Sequence, residues 1–214
     1  DIEAEKITAI VIDSEGIVWL GTPSGLFSLD GQKAGLFANR ASNQVTALRA
    51  TAGDGVWAGY NDGSLARFGT ETQFISNPLP DSLVYPVSDI AFDHAGRLWW
   101  STYGGGIYCR IDDKNISLNS QNGLSDNYIY ALVVGNDGKI WAASDRGISI
   151  CEVDMQAVPV ITQNYTQQLP DLIVTAMQKD NKGNVWLGFH QGGVGRFDPE
   201  TVLVELEGPA RTLL

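Results

Sequence analysis

At five points along the chain, a tyrosine, an acidic residue or a basic residue stands next to Asn, Gln or Gly. These points are Tyr60-Asn61-Asp62, Tyr103-Gly104, Asn127-Tyr128, Asp145-Arg146 and His190-Gln191. Flat aromatic rings can stack on a sugar ring, while polar groups beside them fix its hydroxyls. We therefore predict a binding site for a small molecule or oligosaccharide, built from Tyr60, Asp62, Tyr103, Tyr128, Arg146 and His190. The alternative is that these are ordinary solvated loop residues.

The chemistry of catalysis is poorly represented in the sequence. It contains two histidines, His94 and His190, too few for the clustered ligands and acid–base groups of a metal-dependent enzyme. It has no Gly-x-Ser-x-Gly nucleophile motif and no phosphate-binding loop. We therefore expect no enzyme activity, no bound metal and no cofactor.

Five tryptophans reveal the elements that must position these residues. They follow one another at steps of 38, 42, 42 and 45 residues: Trp19, Trp57, Trp99, Trp141 and Trp186. Twelve residues before each lies an aliphatic residue that opens an apolar run, namely Ile7, Val45, Val87, Ile129 or Val174. Six residues after each lies a glycine, namely Gly25, Gly63, Gly105, Gly147 or Gly192. This fixed phase indicates an internal repeat of about 40 residues.

Each repeat has the pattern of four short strands. The opening run is rich in β-branched residues, and turns such as Asp13-Ser-Glu-Gly16 separate it from the tryptophan strand. Asp closes such turns through its side chain and Gly accepts a positive φ. A third strand follows the glycine, with one extra residue before it in repeats two, three and five, and a more variable fourth strand ends the repeat.

Repeated four-stranded antiparallel units are typical of a β-propeller. We predict an all-β fold with a single domain, 1–214, and five blades at about 7–40, 45–80, 87–121, 129–166 and 174–207. The tryptophans are expected to pack between blades, because one indole buries on the order of 150–250 Å². We expect the five blades to close into a ring; the alternative is an arc of a larger propeller.

Two residues break the repeat within its first strand. Asp89 replaces the alanine found in the other four copies, and Arg49 stands in a column otherwise filled by Val, Ala or Gln. A carboxylate near the propeller axis needs a partner or water. We therefore add Asp89 and Arg49 to the predicted ligand site, with a hydrogen bond between blades as the alternative for these positions.

The charge and the cysteines limit partners and environment. With 25 acidic and 14 basic residues the formal net charge is −11, so no basic surface exists to bind nucleic acid or anionic lipid. No apolar run is long enough to span a bilayer, so we expect no membrane insertion by this segment. Cys109 and Cys151 fall on opposite faces of their blades, which predicts two buried thiols; a disulfide is the alternative.

The repeat has a recognisable consensus. The pattern I-x-x-[IL]-x-x-D-x-x-G-x-[IV]-W-[LIV]-G-T-x-x-G-[LIV], clearest at 7–29 and 174–198, resembles the two-component regulator propeller repeat. The segment Asn122-Gly-Leu-Ser-Asp-Asn127 before the fourth repeat is also characteristic of it. Repeats two and four depart from the pattern, with Thr51 and Gly135 in the Asp position. Residues 185–188 and 193–198 also resemble lyases on seven-bladed propellers, such as virginiamycin B lyase.

The resemblance implies a periplasmic or extracellular sensing region of a bacterial two-component protein, several of which are associated with glycans. Since the chain begins at Asp1 rather than Met, we expect it to be a mature or excised piece of such a protein. The leading expectation is a ligand-binding sensor without catalysis. The alternatives are a protein-interaction scaffold, including a homodimer formed through the parent protein, and a lyase-like enzyme using His190.

Overall fold

The computed structural model describes residues 6–30, 33–38, 44–51, 55–69, 72–78, 83–167, 169–198 and 203–206. These residues form five antiparallel sheets of four strands each, and in every sheet the strands follow chain order. A 3₁₀ turn at Ser120–Asn122 follows the third sheet. The predicted all-β fold of five four-stranded blades is confirmed.

The strand bounds follow the repeats. Blade one contains β1 Ala9–Ile12, β2 Val18–Thr22, β3 Gly25–Asp30 and β4 Lys33–Ala38. Blade two contains β5 Val45–Thr51, β6 Gly55–Tyr60, β7 Leu65–Phe68 and β8 Gln73–Ile75. Blade three contains β9 Val87–Phe92, β10 Leu98–Thr102, β11 Gly106–Ile111 and β12 Lys114–Leu118. Blade four contains β13 Ile129–Val134, β14 Ile140–Ser144, β15 Gly147–Val153 and β16 Pro159–Tyr165. Blade five contains β17 Val174–Lys179, β18 Val185–Phe189, β19 Val194–Asp198 and β20 Leu203–Leu206.

Predicted blade ends at 39–40, 79–80 and 207 lie outside the described residues. The chain forms two compact units, Asp1–Ile90 and Ala91–Leu214, which divide within β9. Ring closure and the single-domain assignment stay predictions.

In the first unit, the tryptophan strand of one blade packs on the opening residue of the next. Trp19 shares a buried cluster with Val45 of blade two. A Cβ on Gly21 would lie 2.6 Å from Val45 Cγ1, and a Cβ on Gly59 would lie 2.4 Å from Val87 Cγ1. Gly21 and Gly59 lie two residues after Trp19 and Trp57, and the absence of a side chain at these glycines lets the next blade approach closely.

In the second unit, the same arrangement joins blades three, four and five. Trp99 is fully buried in a cluster that contains Ile129 and Leu132 of blade four. Trp141 lies in a cluster with Val174 and Leu187 of blade five. For Trp19, Trp99 and Trp141, the predicted packing between blades is confirmed.

The two cysteines are buried free thiols, as predicted. They nevertheless occupy one cluster between blades three and four. Blade three packs one of its faces on the opposite face of blade four, so cysteines on opposite faces of the two blades meet. Burial raises the pKa of both thiols to about 12. Both therefore stay protonated at neutral pH.

The turn aspartates of three repeats hold their tryptophans. Trp Nε1 donates to the carboxylate of Asp13 at 2.7 Å in blade one, and to Asp93 and Asp180 at 3.0 Å in blades three and five. The same carboxylates accept backbone N–H groups two and four residues later. The consensus Asp thus closes the turn and satisfies a largely buried indole at once.

These turns make stability depend on pH. Hydrogen bonds from the tryptophan N–H and from backbone amides hold the pKa of Asp13 and of Asp180 below the ordinary value of 3.8. Their contribution to folding is therefore complete above pH 3.8 and is lost as the pH falls through the lowered pKa values. We expect the urea midpoint to fall on acidification below this value, and to fall less in the double variant Asp13→Asn, Asp180→Asn. Parallel pH curves for the native chain and the variant would contradict this.

Candidate functional site

Three tyrosines form a contiguous aromatic cluster in the second unit. The ring centroids of Tyr103 and Tyr128 lie 5.1 Å apart, with 33° between their planes. Tyr130 lies 6.0 Å from Tyr103 and 5.3 Å from Tyr128, edge-on to both. Tyr128 is 39% exposed, and the other two are half-buried. We call this surface, Tyr103 with Tyr128 and Tyr130, the tyrosine platform.

A β-bulge places Tyr130 in the platform. The register of β13 against β14 shifts between Ile129 and Ala131, so Tyr130 is the extra residue outside the ladder. Bulges re-aim a side chain and are frequent beside functional sites. Blades two and five have the same bulge, but there Thr46 and Thr175 occupy it and donate to a backbone carbonyl. Tyr130, which stands where these two blades have threonine, therefore adds an aromatic ring to the surface.

The lead-in loop of blade four, residues 119–128, places Tyr128 beside Tyr103. The carbonyl of Asn127 accepts N–H groups from Gly104 at 3.1 Å and Gly106 at 3.0 Å, both in blade three. Tyr103 and Tyr128 themselves form an antiparallel bridge. The Tyr128 amide donates to Asp126 Oδ1 at 2.7 Å. The loop therefore joins the two blades at the platform.

A hydroxyl network fixes the same loop on blade four. Ser125 Oγ lies 2.8 Å from Ser149 Oγ and 3.2 Å from Ser144 Oγ. Ser149 donates to Asn164 Oδ1 at 2.7 Å, and Asn164 Nδ2 donates to the Gly123 carbonyl at 2.9 Å. Ser144 and Ser149 are buried. The network therefore sets the position of Asp126 and Tyr128, which follow Ser125 by one and three residues.

Two carboxylates and one guanidinium border the platform. The Tyr130 hydroxyl donates to Asp145 Oδ1 at 2.8 Å. Burial, then the hydrogen bond to Asp145 and its charge, raise the pKa of Tyr130 to about 12, so its hydroxyl remains a donor at neutral pH. Arg146 Nε lies 3.5 Å from Asp126 Oδ2, with the arginine side chain 74% exposed. The platform thus has an apolar centre and a charged rim.

Of the eight predicted site residues, the structure joins three at this surface: Tyr103, Tyr128 and Arg146. His190 lies exposed in the same kind of loop in blade five, where its amide donates to the Ile173 carbonyl at 2.9 Å. Gly147, next to Arg146, donates to the carbonyl of Leu172 at 2.7 Å. His190 and Gly147 thus bond to neighbouring carbonyls of the segment before β17, which links the His190 loop to the loop of Arg146.

The other four predicted residues lie in the first unit. Tyr60 is 2% exposed and belongs to the core between blades one and two, so its prediction as a ligand contact is corrected: the ring packs against apolar side chains. Asp62 accepts the amide of Ser64 at 2.9 Å and also the Ser64 hydroxyl, which shapes its turn. Asp89 is half-buried and accepts the Ile90 amide at 2.8 Å. Arg49 is half-buried opposite Trp57.

Sequence reasoning missed Tyr130, Asp126 and Asp145 as site residues. The signal for Tyr130 was available, because the residue after the opening aliphatic is Thr or Ser in the other four repeats: Thr8, Thr46, Ser88 and Thr175. No comparable signal marks Asp126, whose role comes from its contacts with Tyr128 and Arg146. Within the described residues, no group of three or more His, Cys, Asp or Glu side chains is arranged to hold a metal ion.

Three stretches of the chain match the two component regulator propeller family, at residues 1–24, 123–146 and 168–191. These three stretches carry the two component regulator propeller repeat. The second stretch contains most of the residues that build the tyrosine platform and its rim. A curated relative, histidine kinase P4 of Formosa agariphila, is 29% identical over 124 residues, which are 54% of this chain and 9% of the kinase. The chain thus spans a small part of that relative.

Solved structures share the propeller fold at low sequence identity. One is the extracellular domain of a protein described as a hybrid two component system, from B. thetaiotaomicron; it is 20% identical, with a TM-score of 0.72 over 92% of this chain and 29% of that domain. Another is virginiamycin B lyase from Staphylococcus aureus, 16% identical, with a TM-score of 0.71 over 95% of this chain and 71% of the enzyme. Among the described residues, none belongs to a helix with the length and apolarity needed to cross a bilayer.

Proposed function

We propose that this chain is a ligand-binding sensory module of a two-component-type signalling protein, that it binds an oligosaccharide on the tyrosine platform, and that it has no catalytic role. The observation that carries the proposal is the platform itself: Tyr103 and Tyr128 side by side at a 5.1 Å centroid distance, with Tyr128 39% exposed. Aromatic rings next to fixed polar groups are the arrangement that holds a sugar by stacking and by hydrogen bonds.

The local architecture supports a binding role for the platform. A β-bulge, an inter-blade backbone bridge and a buried serine network all act to hold these rings in place. A rigid surface binds with less loss of side-chain entropy than a mobile one. The family supports a place in a sensor protein, and the similar extracellular domain supports a periplasmic or extracellular location.

The contacts of the two histidines favour binding over catalysis. His94 lies in the turn between β9 and β10, where its imidazole approaches Gly138 of the next blade. His190 follows β18, in a loop at the other end of its blade. The two cannot share one metal or one substrate. Enzyme activity, suggested by the similarity to virginiamycin B lyase, is the second candidate and would require turnover that is lost in His190→Ala.

Removing the ring of Tyr128, the most exposed of the three platform tyrosines, should weaken oligosaccharide binding. We expect Tyr128→Ala to raise the Kd for a bound oligosaccharide about tenfold, because a stacking surface is removed. Tyr128→Phe, which keeps the ring, should bind within about twofold of the native chain. Isothermal titration calorimetry against an oligosaccharide panel measures both values.

A matched control uses an aromatic residue outside the platform. Phe74 on β8 is 59% exposed, so Phe74→Ala removes a comparable exposed ring and should leave the Kd unchanged. Unaltered binding by Tyr128→Ala, or an equal loss in Phe74→Ala, would remove the platform from the binding site. Measurable turnover of any panel member would overturn the proposal that the module lacks catalysis.

A further inference from the structure

The three rings of the tyrosine platform contact one another and leave no space between them. Their centroids are separated by 5.1, 5.3 and 6.0 Å. An aromatic cage for a cation needs rings that surround the cation, each with its centroid within about 6 Å of it. Rings already in mutual contact cannot surround one. The surface is therefore a platform on which a flat, partly apolar ligand face can lie.

The charged rim is unbalanced around this platform. Asp145 accepts the hydrogen bond of Tyr130, and Asp126 pairs with Arg146 at 3.5 Å. The rim thus carries two carboxylates and one guanidinium, and that guanidinium already has an acidic partner. The whole chain adds a formal charge of −11 in the same direction. An anionic ligand would meet net repulsion here.

The rim also determines which hydrogen bonds a ligand must supply. The Tyr130 hydroxyl is held as a donor to Asp145, which leaves the second oxygen of Asp145 as an acceptor. An ionised carboxylate accepts hydrogen bonds and donates none. A ligand lying on the platform must therefore offer donors such as hydroxyl groups. A sugar carboxylate or sulfate offers acceptors instead of donors, and its negative charge would lie beside the negative charge of Asp145.

From this geometry we infer that the ligand of the tyrosine platform is a neutral, hydroxyl-bearing oligosaccharide, and that Asp126 and Asp145 select against acidic sugars. This rests on the proposed oligosaccharide binding and assigns its charge class. Asp126 is the specificity residue, because it pairs with the guanidinium of Arg146, which could otherwise attract an acidic sugar. Asp145 contributes the acceptor that favours a hydroxyl group.

The test compares ligands that differ only at one position of each sugar, where an acidic carboxylate is replaced by a neutral hydroxymethyl group. Hexamers of galacturonate, glucuronate and mannuronate are each titrated beside the neutral hexamer obtained by reducing their carboxyl groups, at low ionic strength so that screening is weak. We expect the native chain to bind at least one neutral hexamer, and to bind its acidic counterpart at least about tenfold more weakly. Asp126→Asn should reduce that preference about tenfold, because Arg146 loses its acidic partner.

Asp154→Asn is the matched control. It removes the same charge from a turn between β15 and β16, where Asp154 accepts the backbone amides of Gln156 and Val158, and it should leave the preference unchanged. Equal effects of Asp126→Asn and Asp154→Asn would overturn the local assignment in favour of overall charge. Tighter binding of an acidic hexamer would overturn the inference alone, since oligosaccharide binding would stand. Failure of all six hexamers to bind would overturn both the inference and the proposed function.

Discussion

Replacing Asp93 by alanine is expected to lower the free energy of unfolding by about 2–4 kcal/mol, because its carboxylate accepts several hydrogen bonds and one of the donors, the Trp99 indole N–H, is buried. The Asp93 side chain is 3% exposed and lies 2.6 Å from Arg97 Nε. It also accepts the N–H of the fully buried Trp99 at 3.0 Å and the amides of Ala95 and Arg97. Alanine leaves the indole donor buried without an acceptor, which is the most costly way to lose a hydrogen bond.

Asp154 provides the control for this prediction. Its carboxylate accepts the amides two and four residues later, as Asp93 does, with Gln156 and Val158 as donors. The turn is exposed and includes no tryptophan. Asp154→Ala should therefore cost about 1 kcal/mol, the net value of ordinary hydrogen bonds. Urea unfolding followed by tryptophan fluorescence measures both; equal losses would show that Trp99 and Arg97 add nothing to the role of Asp93.

Gly147→Ala is the second large effect, with an expected loss of about 2–5 kcal/mol from backbone strain and a steric clash. Gly147 has φ +95°, and a Cβ there would lie 1.9 Å from the backbone oxygen of Tyr165. Since that oxygen belongs to β16, the clash is relieved only by moving the outer strand of the blade. Gly147 also follows Arg146 and donates to Leu172, so the variant should weaken ligand binding on the platform as well.

Gly96→Ala separates the two causes. Gly96 has φ +76°, but a Cβ there would meet nothing within 4 Å. Its substitution should therefore cost about 1–2 kcal/mol, which is the price of a left-handed backbone for an L-residue. If both variants lost the same stability, the contact with Tyr165 would have no energetic role.

The repeat made the blades predictable from sequence. The spacing of Trp19, Trp99 and Trp141 indicated both the strands and their packing between blades, because a large side chain in a fixed phase has one environment in every copy. The glycine rule needed adjustment: a positive φ falls on Gly25, Gly63 and Gly147 as the spacing predicts, but one position later, on Gly106 and Gly193, in repeats three and five. Repeat two has the same predicted extra residue and keeps its positive φ at Gly63.

The site was only partly predictable, because a loop residue has no periodic constraint. Tyr60 ends a tryptophan strand and Tyr103 directly follows one, yet Tyr60 is buried while Tyr103 joins the platform. The difference comes from the neighbours of each ring: apolar core residues around Tyr60, and a tyrosine-bearing lead-in loop beside Tyr103. Such neighbours depend on how two loops meet in space, which a single sequence does not specify. Tyr130 was detectable only as a departure from the Thr or Ser of its column.

The tyrosine platform draws its rings from two successive blades, since Tyr103 follows β10 while Tyr128 and Tyr130 belong to the start of blade four. A ligand lying across them would act as a clamp over the seam between the two sheets. Because such a ligand binds the joined arrangement and not the separated one, it would lower the fraction of molecules in which that seam is open, and lower it further as the ligand concentration rises above the Kd. Slower amide hydrogen exchange in β10 and β13 would then report ligand binding as increased rigidity between two neighbouring sheets.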